Sequence, residues 1–253
     1  MRIRPKSPAE LAKMRESGRI VGEILGEMEQ LIRPGVQPLE LDTFAEAHIR
    51  KRGAKPSFKG YHGFPKSLCI SVNEEVVHGI PGRRPLREGD IVTIDCGAVL
   101  DGWHGDAART YAVGTADAES LELMRVCKGS LDAGIAACRP HARLGDVSRA
   151  VEGFVKEHSS FAIVRQYVGH GIGKALHEEP QVPNYYDANF PFGELMLEPG
   201  HVFAIEPMIN AGGHDVRVLD DLWTVVTADG RRSAHFEHTV AVTENGPEVF
   251  TVP

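Results

Sequence analysis

The chain has 253 residues, 42% hydrophobic and 25% charged, proportions that allow a large buried core and argue against disorder. Its 35 acidic and 28 basic side chains leave a formal net charge of −7, which speaks against a surface built to hold DNA or another nucleic-acid backbone. No run approaches a membrane span, the amino terminus has no apolar signal core, and Cys69, Cys96, Cys127 and Cys138 lack zinc or redox spacing, so a cytoplasmic protein with reduced, packed thiols is expected.

Ser7-Pro8-Ala9-Glu10 combines a capping box with proline at the first helical position, and Leu11, Met14, Ile20, Val21, Ile24 and Leu25 follow at helical spacing. This predicts a helix to about Ile32, and a second from Pro38 to Arg52 stopped by Gly53. Ile91-Val92-Thr93-Ile94 then reads as a strand and Asp101-Gly102 as a turn, so residues 91–106 fold into a hairpin. Folded symmetrically, the hairpin puts Asp95 opposite Asp106. Like charges so placed cost roughly 0.2–1 kcal/mol, and a divalent cation between them reverses the sign. Two solvated turn residues would be the ordinary alternative.

Two further helices are predicted over Ala118 to Cys138 and Asp146 to His158, with glycine-punctuated, strand-like segments between and after them. Nothing resembles a flexible linker, so residues 1–253 are expected to form a single α+β domain. In Tyr167-Val168-Gly169-His170-Gly171-Ile172-Gly173, glycine on each side of His170 lets its imidazole approach a buried centre; His177 lies in the next turn of sequence as a second imidazole. Leu86 to Asp95 and Leu197 to Glu206 share length, glycine placement and a terminal acid, as if two related halves each delivered a carboxylate to one place. Glu206 in Ala204-Ile205-Glu206-Pro207-Met208 and Glu237 in His235-Phe236-Glu237-His238 interrupt apolar runs, where an acid must be paired, protonated or metal-bound.

With these segments in place the chain resembles, over nearly its whole length, the type I methionine aminopeptidases of the pita-bread metallopeptidase superfamily. The resemblance rests on residues 60–67 (Gly-Tyr-His-Gly-Phe-Pro-Lys-Ser), 71–74 (Ser-Val-Asn-Glu), 78–81 (His-Gly-Ile-Pro), the Asp95/Asp106 hairpin, Gly169 to Gly173 with His177, Glu206-Pro207-Met208 and Glu237-His238-Thr239. It implies two pseudo-symmetric halves around a curved antiparallel sheet covered by helices on its outer face. It also implies metal-dependent removal of the initiator methionine by a water activated between two divalent ions, Mn, Fe or Co. Asp95 would chelate one ion, His170 and Glu206 the other, with Asp106 and Glu237 bridging. Glu206 would carry the proton, His177 would stabilise the oxyanion, and His78 would contact the substrate or leaving amine.

The same resemblance assigns the methionine pocket to Phe58, Tyr61, His62, Phe64, Cys69, Leu176 and Trp223, with His78 and His177 at its edge. Leu176 replaces a common aromatic, Phe58 a smaller residue, and Leu222 a usual glycine, so the pocket's shape should differ in detail. Expected partners are methionyl peptides and nascent chains, with a transient ribosome contact, no membrane, and a monomeric state. Two readings compete: a proline-directed peptidase of the same superfamily, and a non-catalytic binding protein on the same scaffold.

Overall fold

Helix α1 spans Pro8–Leu31 in the computed structural model, which describes residues 3–253. Its start is set locally: Ser7 Oγ accepts from the Glu10 N–H while the Glu10 carboxylate accepts from the Ser7 N–H. Helix α2 spans Pro38–Lys51 and stops before Gly53, which takes a φ of 76°. Strands β1 (Lys55–Pro56), β2 (Leu68–Val72), β3 (Glu75–Val77), β4 (Ile91–Leu100) and β5 (Trp103–Ala112) follow. Helix α3 covers Ala118–Ala137 and α4 covers Leu144–His158. The latter begins two residues earlier than predicted, because Asp146 is not its first residue but its capping acid, accepting from the Arg143 N–H at 2.9 Å.

The remaining strands are β6 (Ala162–Ile163), β7 (Gly169–Gly171), β8 (Glu178–Val182), β9 (Val202–Ile205), β10 (Met208–Asn210), β11 (Val216–Val218), β12 (Val225–Thr227), β13 (Ser233–His235), β14 (His238–Thr243) and β15 (Gly246–Val249). In the first sheet β4 pairs with β5 on one side and with β2 and β1 on the other. A second runs β15-β14-β9-β7-β8, and all its pairings are antiparallel. These sheets join where Ala108 and Glu237 exchange backbone hydrogen bonds of 3.4 and 2.8 Å, and where Thr239 Oγ1 accepts from the Asp106 N–H and donates to the Asp106 carbonyl.

The result is a curved antiparallel surface with a helix pair on each half. Ile20, Ile24 and Met28 of α1 pack with Leu68, Ile70 and Ile94, while Leu123, Val126 and Val147 of α3 and α4 pack with Phe203, Ile205 and Val240. This is the pita-bread arrangement. Gly89 and Gly200 turn the chain with φ of 83° and 96° before β4 and β9, and Asp95 then lies midway along β4 while Glu206 directly follows β9. All four cysteines are buried and unpaired, and among the described residues no helix is long and apolar enough to cross a membrane.

Candidate metal centre

The β4–β5 hairpin presents both carboxylates on one face, but not opposite each other. Asp101 and Gly102, at φ of 51° and 77°, form a two-residue turn in which both residues are left-handed. Leu100 must then pair with Trp103, so Asp95 faces Ala108 and Asp106 faces Gly97. The expected 95–106 pairing is corrected by two positions. Because residues 95 and 97 share a face, the acids remain diagonal neighbours within joint reach of one ligand.

His170 comes from β7, which lies between β8 and β9. A Cβ at Gly169 would come within 2.4 Å of the Ala204 carbonyl and one at Gly171 within 2.4 Å of the Glu179 carbonyl, so the glycines permit this close strand packing. The His170 Nδ1 lies 2.9 Å from the Gly171 carbonyl, to which it donates, leaving the Nε2 lone pair for the cavity. That Nε2 is 3.5 Å from Glu206 Oε1. Glu206 follows the last residue of β9, and its main-chain carbonyl accepts a 3.0 Å hydrogen bond from Asn184 Nδ2. Glu237 sits between β13 and β14, held by its backbone exchange with Ala108.

These groups meet at one end of a cavity of about 260 Å³. Ligand atoms of Asp106, His170 and Glu237 all lie within 4.8 Å of one another. Asp95 Oδ1, Asp106 Oδ1 and Glu237 Oε1 are buried without a hydrogen-bond donor. Burial pushes Asp95 up to about 8, and Asp106, Glu206 and Glu237 are driven well above the usual carboxylate range by burial and by neighbouring negative charge. Burial also drives His170 down to about 3. Such a cluster cannot be ionised on its own, yet its orphaned oxygens and one neutral imidazole are the donor set that divalent cations satisfy. The residues therefore fit a metal centre. By contrast, a larger cleft of about 430 Å³ beside Arg4, Lys6 and Trp103 has two acids, Glu178 and Glu179, and Glu178 is already paired with Lys6 at 3.0 Å.

The other end of the same cavity is walled by Phe58, Tyr61, His62, Phe64, Cys69, Leu176 and Trp223, the whole set expected for the side-chain pocket. Phe64 and Trp223 meet edge to face at 5.1 Å, and Phe58 and Leu176 are 8% and 2% exposed, so the two unusual side chains do form part of the packed wall. His177 bridges the two ends: its ring stacks edge-on against His170 at 4.3 Å, and its Nδ1 lies 2.8 Å from the Tyr61 hydroxyl. His78 holds φ at 60° directly after β3, an uncommon backbone for a side chain of its size, and its ring stands edge-on to Tyr167 at 5.6 Å. From there a second cleft, shared by His78, His170, His177 and Glu206, runs out past Tyr167 and Gln181.

Two residues in this neighbourhood were not anticipated. His235 lines the cavity at 1% exposure, and Asn184 holds the Glu206 main chain. The sequence carried a cue for His235, two positions before Glu237 in the same strand-like run and hence on the same side. None marked Asn184, which reaches the centre only through the packing of the segment after β8.

Residues 12–244 match metallopeptidase family M24. A methionine aminopeptidase 1 of Bacillus subtilis (strain 168) is 51% identical over 246 residues, covering 97% of this chain and 98% of its own. The crystal structure of a methionine aminopeptidase from Thermotoga maritima superimposes with a TM-score of 0.95 at 45% identity, covering all of both chains. A prolidase from Pyrococcus furiosus superimposes with a TM-score of 0.78, but at 22% identity and over 65% of its chain, a likeness of fold alone.

Proposed function

This chain belongs to metallopeptidase family M24, and from that premise we propose that it is a methionine aminopeptidase whose hydrolytic centre is the acidic end of the cavity. The observation that carries this is the joining of two unlike regions in one cavity: carboxylate oxygens without donors at one end, an aromatic and aliphatic wall at the other. Asp95, Asp106, Glu206 and Glu237 bring four negative charges, which two divalent cations would balance, with His170 as the single nitrogen ligand. Asp95 would hold one ion, His170 and Glu206 the other, and Asp106 and Glu237 would serve both. A donor set so rich in oxygen suits Mn(II), Fe(II) or Co(II) better than a thiolate zinc site.

When bound, such ions supply Lewis acidity, lowering the pKa of a water and polarising the scissile carbonyl. The chain's own side chains do the rest. Methionine's thioether fills the wall formed around Phe64, Cys69 and Trp223, which places its free α-amine against the carboxylates and restricts cleavage to chain ends. Glu206 takes the proton of the attacking water and passes it to the departing amine. We assign the Tyr61 hydroxyl, 2.8 Å from His177 Nδ1, as donor to that nitrogen, so that His177 keeps an Nε2–H for the carbonyl oxygen as negative charge develops there. His78 orients the leaving amide, and the remaining peptide follows the outer cleft past Tyr167.

Nascent chains are the natural substrates on this reading, met in the cytoplasm by a monomer in transient contact with the ribosome. The proline-directed alternative has support only at the level of fold, and a scaffold without catalysis gives no reason to retain all five ligand side chains. Release of methionine from a Met-Gly peptide by the chelated protein, before and after anaerobic addition of Mn(II), Fe(II) or Co(II), tests the proposal against an Ala-Gly control. Metal-restored cleavage confined to the methionyl peptide is expected. Metal binding without release by any of the three ions would overturn it.

A further inference from the structure

His235 is a buried imidazole that the mechanism above leaves without a task. It ends β13, where it pairs with Met208 of β10, and its backbone is clamped from the other side: its N–H donates to Thr110 Oγ1 at 2.9 Å and its carbonyl accepts from the same hydroxyl at 2.9 Å. Thr110 is in turn 2.8 Å from Thr93 Oγ1. So firmly held a residue places its ring with little freedom. Yet both ring nitrogens are buried and neither has a hydrogen-bond partner. A buried N–H without an acceptor costs about 1–3 kcal/mol, so the arrangement calls for a partner within a small adjustment.

Glu206 is that partner. Its carboxylate lies between two imidazoles, with Oε1 3.5 Å from His170 Nε2 and Oε2 3.6 Å from His235 Nε2. The imidazoles differ in one decisive respect. His170 gives its Nδ1–H to the Gly171 carbonyl, which fixes Nε2 as a lone pair, the form a metal ligand needs. No acceptor faces His235 Nδ1, so nothing draws its proton there, and the carboxylate oxygen beside Nε2 draws it the other way.

We infer that His235 is a positioning residue for Glu206: its Nε2–H donates to Glu206 Oε2, leaving Oε1, on the His170 side, as the oxygen offered to a metal. Together with the Asn184 hydrogen bond to the main-chain carbonyl, this holds Glu206 at two points where no strand pairing does so. The inference rests on the metal-centre reading and adds to it a reason for the carboxylate to bind through one oxygen.

The test is calorimetric titration of the chelated protein with Mn(II) alone, comparing wild type with His235→Leu, His235→Gln and His235→Asn. Glutamine carries an N–H at about the reach of Nε2, asparagine only at that of Nδ1. His235→Leu is expected to weaken one Mn(II) binding event about 10–100-fold, the usual effect of removing a group that orients a ligand. His235→Gln should restore it to within a few-fold, and His235→Asn should not. In a Glu206→Ala background His235→Leu should have no further effect on Mn(II) affinity, because the carboxylate it positions is gone. Thermal unfolding without metal confirms that each variant is folded before titration. Unchanged Mn(II) binding by His235→Leu would overturn the inference alone, as would a His235→Gln variant no better than His235→Leu. A wild-type protein that binds no Mn(II) would overturn the metal-centre reading and this inference with it.

Discussion

Asp42 and Asp106 are buried to nearly the same degree, 4% and 3% exposed, yet they do opposite things. Asp42, on α2, accepts from the Ser67 and Leu68 N–H groups at 2.8 and 2.9 Å and so ties that helix to the start of β2. Asp106 keeps a buried oxygen with no donor at all, as do Asp95 and Glu237 beside it. A buried carboxylate whose lone pairs are filled by the fold is architecture; one whose lone pairs are empty is waiting for a cation. Burial alone does not separate the two cases, whereas an inventory of donors does.

The largest expected effect falls on the cation side of that comparison. Glu206→Ala removes a ligand and the proton carrier together and should lower kcat/KM at least about 10³-fold, several kcal/mol of transition-state stabilisation, while near-ultraviolet circular dichroism stays native. Near-normal turnover with metal still bound would break the assignment. On the architectural side, Asp42→Ala strands two buried N–H groups and should cost about 2–4 kcal/mol in denaturant unfolding. Its Mn(II) affinity should match wild type, and a comparable loss of metal binding would erase the distinction between the two acids.

Acidity sharpens the comparison further. In the metal-free protein Asp95 titrates at about 8 in the fold against an ordinary 3.8, so between those values the folded chain holds a proton that the unfolded chain has released. Stability from this group therefore falls as pH rises. His170 and His235 are displaced the other way, from 6.5 to about 3, and oppose the effect only below pH 6.5. From pH 6.5 to 8 the metal-free protein should lose stability, each such carboxylate contributing up to about 1.4 kcal/mol per pH unit, whereas metal affinity should rise over the same range as protons leave the ligands. Unfolding curves at several pH values, with and without chelator, read both slopes. The smallest effect lies outside the centre. Leu222, 82% exposed at φ 67°, spends left-handed strain on a side chain that packs against little, and Leu222→Gly should raise stability by about 1 kcal/mol in thermal unfolding.

Local chemistry made much of this legible in the sequence. The capping box at Ser7 and the glycine at 53 placed the ends of α1 and α2 within a residue, since those signals act over one helical turn. Acids and a glycine-framed histidine in apolar runs pointed to the centre because burying them without a partner is so costly. The hairpin register follows from the turn by counting: with Asp101 and Gly102 as its two turn residues, 100 pairs with 103 and Asp95 therefore faces Ala108, not Asp106. His235 was legible in its period-two spacing from Glu237, whereas Asn184 acts through a contact between segments distant in sequence, where neither periodicity nor spacing reaches. The aromatic wall came from family resemblance, because Phe58 and Phe64 taken singly look like ordinary core.

The central claim is that Asp95, Asp106 and Glu237, each with a buried oxygen that has no donor, hold divalent ions together with Glu206 and His170. Anomalous diffraction at the manganese edge from crystals grown with Mn(II) tests it most directly. Two peaks enclosed by these five side chains are expected; a crystal loaded with Mn(II) that shows no peak there, while the cavity remains open, would contradict the account.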